Sequence, residues 1–187
     1  MLAYVFWHWR SPEIDSETYN NHLVAFHRVL SECKPAGFRS SVVFFSGRVP
    51  WLPTAPEAYE DWYVVESSAA LDPLNEAAVS GVRREPHDEV ARGAAGGVGG
   101  LYRCRTGELS LVDAQYALWF SKPAGTAYDA FYASTRPWTS QVGVGLWGRQ
   151  MALGPTPEFC LLTSTPVKLP DRFEGFGRAI ERLWPGH

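Results

Sequence analysis

The chain has 187 residues, a formal net charge of −3, and 45% hydrophobic and 14% aromatic content. That is ample for a packed core and excludes disorder over most of the chain. No cluster of lysine and arginine offers a footprint for nucleic acid or an anionic membrane, and no apolar run approaches the ~18 residues of a membrane span, so neither partner is expected.

"AYVFWHWRSP", Ala3 to Pro12, is dense in strand-forming aromatics and ends in a Ser-Pro breaker, so it reads as a first strand. It lacks the basic region of a signal peptide. "SETYNNHLVAFHRVL" follows as a helix whose apolar stripe is Tyr19, Leu23, Phe26, Leu30 and Cys33. His22 and His27 sit on opposite shoulders of that stripe, about 140° apart at ~100° per residue, so they cannot share one ion. Two strand candidates come next, "GFRSSVVFFSG" and "YEDWYVVESS", joined by a long proline-rich connection, and a helix "LDPLNEAAVSG" then stops at Gly81. The stretch Arg83 to Ser110 reads as a short helix, a glycine-rich turn "GAAGGVGG" and a strand at Leu101 to Arg105. The glycine run precedes a strand, and no GK[ST] follows, so it is read as a connector and not as a phosphate loop.

From Ala114 the order repeats. "AQYALWFSKP" matches the first strand, with Tyr116 and Trp119 standing for Tyr4 and Trp7 and Phe120 standing where His8 would recur. A helix follows that Pro137 is expected to end, then two strands, and "PDRFEGFGRAIERLW" is expected as a closing helix. No fourth strand is visible before His187, so the second sheet is either three-stranded or completed by another segment. The fold class expected is α+β: two tandem ferredoxin-like repeats (βαββαβ), residues 1–110 and 111–187, forming one pseudo-dimeric barrel. Both parities of the first strand are apolar, so this sheet buries both of its faces. The three cysteines, Cys33, Cys104 and Cys160, are widely spaced and read as reduced core thiols of a cytoplasmic protein.

This tandem arrangement resembles the dimeric α/β barrel superfamily, in which two such sheets pack face to face. "ETYNNHLVAFHRVL", with Tyr19, His22 and Gly37, resembles the first helix of EthD-like proteins. The resemblance, which extends to monooxygenase-like members, implies a cofactor-independent enzyme acting on a small apolar or aromatic molecule in the barrel, with His8 or His22 moving the proton. It also admits haem on a single axial histidine, with His22, His27 or His87 as the ligand.

The residues themselves offer candidates for that site. His8 shares its side of the strand with Tyr4 and Phe6; it lines the cavity if that face turns into the barrel, and otherwise Trp7 and Trp9 line it and His8 meets the helices. A titratable group in an apolar pocket is the usual form of a general acid or base. Tyr4, Phe6, Tyr19, Asp61 and Trp51 are the expected substrate contacts, Trp51 as a lid from the long loop. No metal site is expected, since no ligand set has the required spacing. The alternative to an enzyme is a protein that only binds a small hydrophobic molecule, as a monomer or a homodimer. The second half has no histidine before His187, so one half is expected to carry the site and the other to complete the barrel.

Overall fold

The computed structural model describes residues 1–107, 109–168 and 170–185; His187 lies outside them. The first repeat runs β1 (Leu2–Arg10), α1 (Ser16–Glu32), β2 (Phe38–Gly47), β3 (Ala58–Val65), α2 (Leu71–Ala78), α3 (Arg84–Gly93) and β4 (Ala94–Gly107). The second runs β5 (Tyr116–Phe120), α4 (Tyr128–Thr139), β6 (Val144–Leu153), β7 (Phe159–Thr163) and β8 (Gly175–Ala179), and β9 (Glu181–Trp184) follows. All strands join one antiparallel sheet in the order β8-β5-β7-β6-β4-β1-β3-β2-β9. Each repeat contributes its strands in the same relative order, β4-β1-β3-β2 and β8-β5-β7-β6, which is the ferredoxin-like arrangement expected.

The segment expected as a closing helix is instead β8 and β9. Gly175 and Gly177 each cost a helix interior about 1 kcal/mol, and here they alternate with Phe176 and Arg178 as a strand. β8 supplies the missing fourth strand by pairing with the open edge of β5, Tyr116 opposite Ala179 and Phe120 opposite Gly175. β9 then pairs with β2 of the first repeat, Val43 opposite Trp184. The two ends of the sheet are therefore consecutive in the chain, separated only by Ile180, whose side chain is buried in the barrel and whose N–H donates to the Gln115 carbonyl. At the other seam, β4 pairs with β6 from Gly99 opposite Leu153 to Gly107 opposite Gly145.

Two smaller expectations are also corrected. The glycine-rich run is no connector but the first half of β4. Glycines let the aromatic rings of β1 lie flat across the neighbouring strand: a Cβ on Gly97 would stand 2.3 Å from Phe6, and one on Gly99 2.8 Å from Tyr4. α4 does not stop at Pro137 but carries it to Thr139; a proline in the last turn has helical φ and forfeits only one hydrogen bond.

The barrel interior is solid. Trp7, Trp62, Trp119, Trp147, Tyr102 and Phe44 meet there with Val5 and Leu162. Trp7 and Trp119, equivalent in the two repeats, touch edge to face with ring centroids 5.0 Å apart. Trp51, expected as a lid over the site, lies on this face too, 6.0 Å from Trp7 and 5.6 Å from Trp119. The proline-rich loop thus packs its indole against the barrel core, where eight tryptophans in the chain make aromatic partners abundant.

Candidate functional site

Because the odd residues of β1 fill the barrel, its even residues Tyr4, Phe6 and His8 face the helices. The cavity expected inside the barrel lies instead between the outer face of the first repeat's sheet and α1, α2 and α3. It has a volume of about 690 Å³. Tyr4, Phe6, His8, Asp61 and Tyr63 form its sheet wall, and Tyr19 and Phe26 of α1 line it as well. Leu74 of α2, with His87 and Val90 of α3, makes much of the rest.

α1 begins where Asp15 caps it, its carboxylate accepting from the Thr18 N–H at 2.8 Å. From that start Tyr19, Leu23, Phe26, His27 and Leu30 all turn to the sheet. The buried stripe differs from the expected one: it takes in His27 and leaves out Cys33, which is exposed, while His22 is left half-buried at its side. His22 does not line the cavity, and its Nδ1 has no hydrogen-bond partner among the described residues. The catalytic expectation for His22 is therefore not met by its position.

His8 and His27 meet at one carboxylate. His8 Nε2 lies 3.1 Å from Asp61 Oδ1, close enough for a charge contact although its angle misses hydrogen-bond geometry. His27 Nε2 lies 3.2 Å from Asp61 Oδ2, and the Tyr63 hydroxyl donates to that oxygen at 2.9 Å. The outer nitrogens are also engaged: His8 Nδ1 is 2.7 Å from the Tyr19 hydroxyl, and His27 Nδ1 is 2.8 Å from the Ser41 hydroxyl. None of the central three is more than 2% exposed. Rings fix the imidazole planes, with Phe6 and Tyr59 stacked about His8 and Tyr63 stacked on His27.

Burial by itself would raise the Asp61 carboxyl, but His8 and His27, by charge and by hydrogen bonding, outweigh it and hold the group well below the usual carboxylate range. An ionised carboxylate accepts only, so each imidazole carries an N–H on Nε2 towards Asp61. In the neutral form of each ring Nδ1 is then the acceptor, from Tyr19 in one arm and from Ser41 in the other. Burial, reinforced by the Asp61 charge, pushes the phenols of Tyr4, Tyr19 and Tyr63 upward, so all three keep their protons.

The second repeat replaces this network mostly with carbon, its one hydroxyl at these positions, Thr163, donating to the Thr165 carbonyl. By strand register, Phe120 stands for His8, Leu161 for Asp61, Val144 for Ser41 and Thr163 for Tyr63. The corresponding space is filled by Phe120, Phe131, Phe159 and Phe173, with Trp138 beside them. One half thus holds the cavity and its buried polar network and the other an aromatic core, as the distribution of histidines implied.

Among the described residues, no group of three His, Cys, Asp or Glu side chains is arranged to hold a metal ion. A haem iron would need an imidazole lone pair facing open space. His27 has both nitrogens engaged and His22 lies off the cavity, so neither fits; His87 lines the cavity with its Nδ1 against Asp88 at 3.2 Å. No helix among the described residues is long and apolar enough to cross a membrane.

No family model matches the chain, and no curated protein matches it. Solved structures do. A putative monooxygenase from Lactobacillus acidophilus NCFM superposes with a TM-score of 0.60 at 11% identity, over 97% of this chain and 94% of that one. An anthrone oxidase-like protein superposes with a TM-score of 0.51 at 12% identity, over 88% of this chain and 73% of that one. At such identities the likeness is one of fold: the chain is built as these two are, as a pair of ferredoxin-like units forming an α/β barrel.

Proposed function

We propose that the chain is an enzyme that removes a proton from a small, largely apolar or aromatic molecule held between the first repeat's sheet and α1 to α3, with His8 as the base. The observation that carries this reading is one buried carboxylate, Asp61, clamped by two histidines, with Asp61 and His8 in the wall of a mostly apolar cavity. A buried ionised group costs several kcal/mol unless its partners are arranged to hold it, and such arrangements concentrate at functional sites.

Asp61 fixes the Nε2–H tautomer of His8 and leaves Nδ1 as the basic lone pair, 2.7 Å from the Tyr19 oxygen. A substrate proton passes to the Tyr19 oxygen as the phenol gives its own proton to His8 Nδ1. The imidazolium so formed lies against the Asp61 carboxylate, and the phenol is regenerated. The product is the substrate anion, which for an enolisable aromatic is electron-rich enough to be oxidised directly by dioxygen. Oxidation of a small molecule is also what the names of the two similar structures, putative monooxygenase and anthrone oxidase-like protein, refer to. This route uses no cofactor, and every residue it names belongs to one chain.

Anthrone is a suitable probe, because its methylene protons exchange through an enolate. In deuterated buffer without oxygen, the protein should accelerate that exchange, and His8→Ala should lose the acceleration by a factor of about 10²–10⁴ while still binding the probe. Exchange as fast in His8→Ala as in the parent would overturn the assignment. A second reading is favoured by one observation, the engagement of both His8 nitrogens within the protein. Binding of anthrone by the parent with no acceleration would establish that reading, a protein that binds a hydrophobic molecule without turning it over.

A further inference from the structure

We infer that the cavity selects uncharged ring molecules carrying a carbonyl or phenolic oxygen, which the Tyr4 hydroxyl holds, and that it rejects carboxylates and phosphates. This rests on the same cavity as the proposed function and adds the class of molecule it takes.

The charge argument comes from what lines the space. Among the described residues, no lysine or arginine lines the cavity, whereas Asp61 and Asp72 do. The nearby arginines are committed elsewhere: Arg10 to Glu57 at 2.5 Å and to the Ile14 carbonyl, Arg83 to the carbonyls of Ala77 and Cys33, and Arg92 to Glu89. His87, the remaining basic side chain at the cavity besides His8, already has Asp88 beside it. An anionic ligand would be desolvated beside the Asp61 charge with no cation to pair with.

The hydrogen-bond argument singles out Tyr4. The Tyr63 hydroxyl donates to Asp61 and that of Tyr19 stands at His8, so both are used within the protein. Tyr4 lines the cavity, and among the described residues its hydroxyl makes no hydrogen bond. Its ring lies across Gly99, where a larger residue would displace it. Burial and the Asp61 charge keep this phenol protonated. It is therefore a held donor facing a space whose other walls are mostly apolar, and its complement is a neutral acceptor oxygen.

Isothermal titration calorimetry at pH 7 with 2-naphthol and 2-naphthoate tests both arguments on the intact chain. The parent should bind 2-naphthol and bind 2-naphthoate at least tenfold more weakly. Tyr4→Phe should weaken 2-naphthol roughly threefold to tenfold, the range of one neutral hydrogen bond. Equal or tighter binding of 2-naphthoate, an unchanged affinity in Tyr4→Phe, or no binding of either probe would each overturn the inference. Because binding is read apart from turnover, the two proposals can fail separately. Discrimination between the probes without anthrone exchange would sink the enzyme reading alone, and exchange that needs His8 alongside tight naphthoate binding would sink this one alone.

Discussion

His8 reaches Asp61 diagonally across two strands. The residue opposite Asp61 in the register of β1 and β3 is Phe6, and His8 stands opposite Tyr59, yet His8 Nε2 and Asp61 Oδ1 are 3.1 Å apart. Diagonal neighbours on one sheet face are within reach of long side chains, and the Phe6 and Tyr59 rings on either side hold the imidazole in that direction. His27 arrives at the other oxygen from α1, so sheet and helix are tied through one carboxylate.

That tie fixes the tautomers. Nitrogen-15 NMR of the imidazoles should show His8 and His27 protonated at Nε2. In Asp61→Asn the same spectra should lose that uniformity, since an amide cannot accept from both rings and from Tyr63 at once. The substitution should also destabilise the fold by about 1–3 kcal/mol, the cost of buried donors left without an acceptor.

The Asp61 carboxyl is held below its value in the unfolded chain, near 3.9 for an unperturbed aspartate. Its contribution to stability is therefore complete above that value and is lost as pH falls through the lower folded one. Unfolding midpoints measured from pH 6 downward should fall less steeply in Asp61→Asn than in the parent. An identical acid limb in the two proteins would contradict this.

Glu60, the next residue, faces the opposite way and is buried inside the barrel, where the Trp62 indole N–H lies 3.4 Å from its carboxyl. Burial pushes this carboxyl up, against the opposing pull of Ser46, Trp62, Trp7 and Trp119 around it. A raised carboxyl favours the fold below its unfolded value, and that contribution is lost as pH rises through the folded one. Glu60→Gln, which keeps the shape and removes the charge, should raise stability at pH 8 relative to the parent by on the order of 1 kcal/mol. The advantage should shrink toward pH 4.

Gly97→Ala should close the cavity from beneath. The added methyl would stand 2.3 Å from the Phe6 ring, which must then move into the space the ligand needs. Weaker 2-naphthol binding and a stability loss of about 1–3 kcal/mol from overpacking are expected. Full binding with unchanged stability would show that Phe6 has room to turn away.

Ile180 joins the two ends of the sheet. Ile180→Ala should cost about 2–5 kcal/mol through the space left in the barrel core. The local signature is more telling: amide hydrogen exchange should quicken in β8 and β9 more than in β1 and β3, because β8 and β9 are the sheet's outermost strands.

The sequence by itself determined the repeat, the type and order of the elements through β7, and the asymmetry between halves. These follow from local patterns: aromatic strand runs, a helical stripe, and Phe120 in place of His8. It also brought Tyr4, Phe6, His8, Tyr19 and Asp61 forward as candidates, and all five line the cavity. What only the tertiary structure decided was which face of the sheet turns inward. Both faces of β1 are apolar, and the choice rests on four tryptophans from separate strands filling one space, a relationship no single segment contains. The same choice moved the cavity outside the barrel, drew Trp51 away from it, and selected His27 over His22, since the side of α1 that lies on the sheet depends on where the sheet is. The last strands were hidden for a similar reason. Phe173, Ile180 and Leu183 mimic a helical period, and only the open edges of β5 and β2, formed far back in the chain, give that segment backbone partners as a strand.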